Sequence, residues 1–152
     1  MLRVVLFISL ALNCFAWEEH PNFSGTWHLS PELSDFGKAT PPKSLVSRIR
    51  HQDPALIVNS TTTDGKGTQQ SEYRWWTDGY PCANTIRGIE YATRVVWDGH
   101  TLLATSTASN QQGPIEIADH WSISKDGKTL KVGRVLKIAG ARVEQTYVYT
   151  RK

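Results

Sequence analysis

Two charged residues, Asp119 and Arg134, lie in stretches whose alternate positions are otherwise apolar. Asp119 is two residues from both Ile117 and Trp121, and Arg134 is two residues from Val132. Residues two apart in a strand share a face, so each charge is expected on an apolar face. A guanidinium group matches two carboxylate oxygens. Arg134 could therefore bind the acidic or polar head of a ligand, or pair with Asp119.

Turn signals predict that this acid and this base face each other. Partners across a two-residue hairpin turn have residue numbers of constant sum. With Asp126-Gly127 as one turn, Asp119 falls opposite Arg134. With Ala139-Gly140 as the next turn, Gln145 also falls opposite Arg134. The expected site is a row of these three polar side chains across three strands.

Other side chains capable of chemistry are not arranged for catalysis or metal binding. The five histidines show no His-x-His or His-Glu-x-x-His spacing, which argues against a zinc site. His51 or His100, at expected hairpin ends, could ligate haem, although a polar residue at a strand end is the ordinary interpretation. Cys82 has no neighbouring base that would make it a nucleophile. We therefore expect no enzyme activity, no metal and no cofactor.

The elements that must position these residues are β-strands. Short segments alternate apolar or aromatic residues with polar ones, and Asp-Gly pairs between them are strong hairpin signals. An open meander would leave long edges, so closure into a barrel is expected. The prediction is an all-β, up-and-down antiparallel β-barrel of about eight to ten strands. The alternating segments are 23–29, 45–51, 55–62, 68–76, 89–97, 101–109, 115–123, 129–138 and 142–149.

The same register arithmetic predicts a mixed interior. The turns Asp53-Pro54, Asp64-Gly65 and Asp98-Gly99 place apolar, aromatic and small polar side chains on the inner face, with Trp97 opposite His100. Small inward residues leave room for one small ligand in a barrel of this size. Besides Asp119, Arg134 and Gln145, the expected ligand-binding residues are Tyr73, Trp75, Tyr91, Trp97, Trp121 and Tyr147.

Two segments interrupt the strands. Residues 30–37 carry helix signals, with Ser30 as N-cap, Pro31 at the first helical position and Gly37 as C-cap. They predict a short helical element of about two turns after the first strand. Residues 77–88 are the longest connection between the later strands and form either a rim over the barrel mouth or an ordinary surface loop.

The N-terminus has the pattern of a signal peptide. Arg3 precedes the apolar run 4–12, and residues 13–16 provide a small-residue cleavage site. The run is shorter than the roughly 20 residues of a membrane-spanning helix, so a retained anchor is the weaker interpretation. We expect residues 1–16 to be removed and residues 17–152 to form one secreted or periplasmic domain.

The charge and cysteine content of residues 17–152 restrict the partners and the cross-links. This segment has 16 basic and 14 acidic residues, scattered along the chain. A protein that binds nucleic acid would concentrate Lys and Arg, so we expect no nucleic acid partner, and no membrane span after cleavage. Cys82 is the one cysteine of the segment, so no disulfide can form within it and packing must hold the fold.

Residues 22–29, Asn-Phe-Ser-Gly-Thr-Trp-His-Leu, resemble the first strand of the lipocalin and fatty-acid-binding-protein superfamily, the calycins, which carries Gly-x-Trp. Together with Ser-Asp-Phe-Gly at 34–37, they are similar to small exported bacterial lipocalin-like domains that have no assigned activity. The resemblance implies that Gly25 and Trp27 form the base of the barrel and that Arg134 lies against Trp27. The chain departs from the family in having no framework disulfide and too short a segment for the helix-turn-helix lid of intracellular fatty-acid carriers.

The leading functional expectation is an exported, non-enzymatic β-barrel that binds a small, mainly apolar molecule in its interior. Apolar walls with a few convergent polar groups are what such sites require. The alternative is a structural or protein-interaction barrel of the cell envelope, with a filled interior and no ligand. The volume of the interior cavity distinguishes these two hypotheses.

Overall fold

Alternating polar and apolar residues form ten antiparallel strands in the part of the chain that a computed structural model describes, residues 19–151. The predicted signal peptide, residues 1–16, lies outside the described residues. The strands are β1 (Gly25–Leu29), β2 (Ser44–Gln52), β3 (Ala55–Asp64), β4 (Gly67–Trp76), β5 (Cys82–Ile86), β6 (Ile89–Asp98), β7 (Thr101–Asn110), β8 (Gly113–Ile123), β9 (Thr129–Ile138) and β10 (Ala141–Arg151).

The strands follow one another around an up-and-down barrel, as predicted. The order in the sheet is β4-β3-β2-β1-β10-β9-β8-β7-β6-β5, so β1 and β10 pair with each other and β4 and β5 are its two edges. Asn84 of β5 joins these edges. Its side-chain amide donates to the carbonyl oxygen of Arg74 at 2.8 Å, and its Oδ1 accepts from the Arg74 backbone N–H at 2.8 Å. The side chain thus satisfies backbone groups that a paired strand would satisfy.

Strand β5 corrects the interpretation of residues 77–88 as a loop. Cys82, Asn84 and Ile86 are half-buried and alternate with exposed residues, and β5 pairs with β6 through the turn at Arg87 and Gly88. Both turn residues have positive φ, +51° and +78°. Local alternation does not identify this strand because its inward positions include a cysteine and an asparagine, and asparagine is depleted in strands.

The predicted short helical element after β1 is present as one turn of 3-10 helix, Pro31–Leu33, which is shorter than the roughly two turns that the cap signals suggest. Asp35 pairs with Thr146 of β10 through two backbone hydrogen bonds of 2.8 and 2.7 Å. This extended pairing ends the helix before a second turn can form. Within residues 19–151, no helix is long and apolar enough to span a membrane.

Observed registers confirm three predicted turns, at 53–54, 126–127 and 139–140, and correct two others. Asp119 faces Arg134, and Arg134 faces Gln145, as the turns at 126–127 and 139–140 require. Trp97, however, faces Leu102 and not His100, because the turn residues are 99–100. The turn after β3 likewise comprises residues 65–66. When a turn moves by one residue, the cross-strand partner of each residue changes by two positions. Because residues two apart share a face, the set of inward-facing residues is unchanged.

An aromatic cluster closes one end of the barrel. Phe23 and Trp27 are completely buried, and the Trp27 indole donates to the Phe23 carbonyl oxygen at 2.8 Å. Phe23 packs against Trp97 and Trp121 at ring-centroid distances of 5.8 Å. The cluster therefore fills this end with side chains.

His51 is a structural residue of the same end. Its Nδ1 accepts from the backbone N–H of Phe23 at 3.2 Å, so the proton is on Nε2, which donates to Asp53 at 2.8 Å. Burial opposes ionisation of Asp53, but hydrogen bonds from Thr77 and His51 outweigh it and lower the pKa of Asp53. Both ring nitrogens of His51 have protein partners, and these contacts favour its interpretation as a polar residue at a strand end.

Candidate ligand cavity

A cavity of about 620 Å³ occupies the barrel between the aromatic end and the opposite end. The inward positions of most strands line it, as strand alternation requires. Its aromatic walls are Phe36, Tyr73, Trp75, Tyr91, Trp121, Tyr147 and Tyr149, its small hydroxyl residues are Ser47, Ser60, Thr62, Ser71, Thr93 and Ser106, and its inner charged residues are Asp119 and Arg134.

Four of the small hydroxyl residues in the interior form hydrogen bonds with each other across strands. Ser47 and Ser60 share a hydrogen bond of 2.8 Å between β2 and β3. Thr93 and Ser106 share another of 2.8 Å between β6 and β7. Larger side chains at these four positions would extend into the cavity. The small hydroxyl pairs therefore leave empty a volume that side chains would fill in a packed barrel.

Seven of the nine predicted ligand-binding residues line the cavity: Asp119, Arg134, Tyr73, Trp75, Tyr91, Trp121 and Tyr147. The other two, Gln145 and Trp97, are outside its lining. Gln145 donates to the Phe36 carbonyl oxygen at 3.1 Å and accepts from the Tyr147 hydroxyl at 3.0 Å. Trp97 stacks on His20 at 4.3 Å at the closed end. Gln145 therefore fastens the segment after the helical turn to β10, and Trp97 belongs to the aromatic base.

Asp119 and Arg134 form a bidentate ion pair at the cavity wall. Arg134 Nε and Nη2 donate to the two carboxylate oxygens at 2.7 and 2.8 Å. The Asp119 side chain is 5% exposed, whereas that of Arg134 is 33% exposed, because part of the guanidinium faces the cavity. Burial disfavours the charge on Arg134, but attraction to Asp119 and the paired hydrogen bonds outweigh it and raise the pKa of Arg134. The arginine therefore stays charged and paired.

The ring of Tyr147 makes a second contact with the guanidinium of Arg134. The Arg134 carbon Cζ lies 5.4 Å from the Tyr147 ring centroid, a cation–π distance. The Tyr147 ring in turn contacts Phe36 edge-on at 5.4 Å. These contacts restrain the orientation of Arg134, so its position does not depend on Asp119 alone.

Arg151, and not Arg134, lies against Trp27. Arg151 is the register partner of Trp27, and its guanidinium carbon lies 4.5 Å from the Trp27 ring centroid. Gly25 allows this approach: its φ is +140°, and an added Cβ would lie 3.3 Å from Arg151 Nε. The arginine implied by the resemblance is thus Arg151 of β10, a strand that pairs with β1, and not Arg134 of β9, which is not a neighbour of β1 in the sheet.

The hydroxyls of Tyr73 and Tyr149 are unpaired polar groups of the cavity, and Tyr149 is an addition to the predicted site. Within residues 19–151, neither hydroxyl has a hydrogen-bond partner, and both side chains line the cavity. Burial is the main cause that raises the pKa of each tyrosine. Both hydroxyls are therefore neutral donors and acceptors at neutral pH. The inward register of Tyr149, opposite Leu130, is the signal that could have identified it.

Metal-binding geometry is not found in the described part of the chain. No group of three or more His, Cys, Asp or Glu side chains within residues 19–151 is placed to hold a metal ion. The Cys82 thiol donates to the Thr93 carbonyl oxygen at 3.4 Å, and burial raises the pKa of Cys82. A raised pKa leaves less reactive thiolate at neutral pH.

Comparison with solved structures identifies the fold. A zebrafish ileal bile acid-binding protein complexed with cholic acid superposes with a TM-score of 0.59 at 14% identity, over 86% of this chain and 98% of that chain. A Schistosoma mansoni fatty acid binding protein in complex with arachidonic acid gives 0.57 at 12% identity, over 86% and 96%. The fold is that of the calycins.

The same fold also occurs in a solved protein that is described by its heat solubility and not by a ligand. A secretory abundant heat soluble protein from Ramazzottius varieornatus gives a TM-score of 0.56 at 10% identity, over 89% of this chain and 98% of that chain. No protein-family model matches the sequence, and a search of the curated proteins finds no match. The likeness therefore lies in the barrel and does not extend to the sequence.

Proposed function

We propose that this protein is an exported barrel that binds one small, mainly apolar molecule in its cavity and catalyses no reaction. The cavity of about 620 Å³ carries the proposal, because ligand sites in proteins usually occupy about 300 to 1,000 Å³. A structural barrel with a filled interior would leave no such volume. Solved barrels of the same fold hold cholic acid and arachidonic acid, which is consistent with an apolar ligand here.

The cavity lining also supports binding without catalysis. Aromatic, aliphatic and small hydroxyl side chains form its wall, and its one inner acid, Asp119, is held in a bidentate pair by Arg134. A general acid or base must come within hydrogen-bond reach of the substrate, and both oxygens of this carboxylate are already engaged by Arg134. The polar groups that face the cavity are suited to orienting a ligand.

Filling the cavity from β4 is expected to weaken ligand binding at least tenfold. The uncharged fluorophore N-phenyl-1-naphthylamine serves as the probe, titrated while its emission is recorded. Ser71 lines the cavity, so Ser71→Phe places a ring in the binding space. Gln70→Phe puts the same ring on the exposed outer face, one residue away, and is expected to change the affinity less than twofold. Equal affinities for the two variants, or no saturable binding by the wild type, would contradict the proposal.

Export rests on the pattern at residues 1–16 and is tested separately. The protein is recovered from its host's envelope or medium and its intact mass is measured. The expected mass corresponds to a chain that begins at Trp17, because cleavage follows the small residue Ala16. A mass that includes residues 1–16 would refute export by this route and leave the binding proposal intact.

A further inference from the structure

The charges inside the cavity cancel. Among the described residues that line it, Asp119 and Arg134 are the charged pair of the inner wall, Asp64 ends β3, and Arg87 lies in the turn between β5 and β6. Asp64 accepts from the Lys66 backbone N–H at 2.7 Å in the β3–β4 turn, and Arg87 is exposed in the β5–β6 turn. The inner wall therefore has no net charge to offset a charged ligand head.

The guanidinium of Arg134 already binds one carboxylate, that of Asp119. The side-on arrangement, with Nε and Nη2 on the two oxygens of Asp119, is the geometry of a guanidinium–carboxylate fork. A ligand carboxylate could reach only the remaining N–H groups and would lie close to the negative charge of Asp119. The negative charges of the ligand and of Asp119 would repel each other, and the low dielectric of a barrel interior strengthens this repulsion.

Neutral hydrogen-bonding groups are what the cavity still offers. The Tyr73 and Tyr149 hydroxyls line it without protein partners among residues 19–151, and each can donate or accept one hydrogen bond to a ligand. Hydroxyl and carbonyl groups match such partners without carrying a charge into the interior. A carboxylate would lose hydration and gain no counter-charge.

We propose that the cavity selects uncharged amphipathic molecules, with an apolar body and a hydroxyl or carbonyl head, over molecules of the same shape that carry a carboxylate. This inference rests on the proposed binding function and specifies its ligand class. Asp119 is then the residue that determines specificity, since it occupies the guanidinium that would otherwise attract acids.

Dodecan-1-ol and dodecanoate test this selectivity, because they share one alkyl chain and differ in the charge of the head. Each displaces N-phenyl-1-naphthylamine from the wild-type protein at pH 7.4, below the micelle concentration of dodecanoate. We expect the alcohol to bind at least tenfold more tightly. Binding of the fluorophore with equal or tighter binding of dodecanoate would overturn this inference alone. Failure of the fluorophore and of both ligands to bind would overturn the proposed function as well.

Asp119→Asn is expected to abolish the preference. The variant removes the carboxylate and leaves Arg134 charged, so the affinity for dodecanoate should rise at least tenfold while that for dodecan-1-ol changes less than threefold. Glu116→Gln removes a carboxylate from the same strand on the outer face, where Glu116 pairs with Lys137 at 3.0 Å, and should change neither affinity. Unchanged dodecanoate binding in a folded Asp119→Asn protein would overturn the assignment. If this variant does not fold, the two wild-type titrations decide the inference.

Discussion

Replacing Trp27 with alanine is expected to lower the free energy of unfolding by about 4 kcal/mol, since removal of a buried Trp or Phe side chain costs roughly 3–5 kcal/mol. Trp27 is completely buried beside Phe23. The variant also loses the indole hydrogen bond to the Phe23 carbonyl oxygen and the contact with Arg151 at 4.5 Å. Urea denaturation followed by tryptophan fluorescence and circular dichroism measures the change.

Trp76→Ala is the matched control for Trp27→Ala. Trp76 is 36% exposed at the end of β4, so its removal should cost less than about 1 kcal/mol. Similar losses for the two variants would show that Trp27 does not anchor the base of the barrel. Trp27→Phe should lie between them, because it keeps an aromatic ring and loses the indole donor.

Replacing Arg134 with methionine is expected to destabilise the protein by about 3 kcal/mol, at the lower end of the roughly 3–5 kcal/mol for a broken buried pair. The change leaves the Asp119 carboxylate, which is 5% exposed, without its partner. The lower figure is expected because the Arg134 side chain is 33% exposed, so the pair is only partly buried. Chemical denaturation at neutral pH gives the difference.

The double variant Arg134→Met/Asp119→Leu should recover most of that stability, because an apolar pair of similar size has no charge to desolvate. A double-mutant cycle separates the interaction energy from the packing of Arg134 on Tyr147. If the double variant is as unstable as Arg134→Met alone, the loss comes from packing, and the ion pair contributes little. Retention of fluorophore binding in the double variant would show that the pair is not required for occupancy of the cavity.

Local signals predicted most of the barrel and the central pair. Alternation identified nine of the ten strands, and the turns at 126–127 and 139–140 correctly placed Asp119 and Gln145 opposite Arg134. These predictions succeeded because side-chain direction in a strand and hairpin register depend on neighbouring residues. The turn at 99–100 was misplaced by one residue because Asp98 and Gly99 are both suitable turn residues, and the sequence does not decide which begins the turn.

Long-range contacts account for what the sequence did not reveal. Asn84 joins the two edges of the sheet, Arg151 covers Trp27, and Gln145 turns away to hold the Phe36 carbonyl oxygen. Each contact joins segments that are not consecutive strands of one hairpin. The alternation of apolar and polar residues within a strand therefore does not predict it.

The sequence by itself determined the strand class, the inward face and the meeting of one acid with one base, since these follow from the two-residue repeat and from turn chemistry. Only the tertiary structure decided that the interior is open and that Arg134 is fully engaged by Asp119. The interior is open when the volume that the closed barrel encloses exceeds the volume of the side chains that point into it. The enclosed volume is set only when all ten strands are in place.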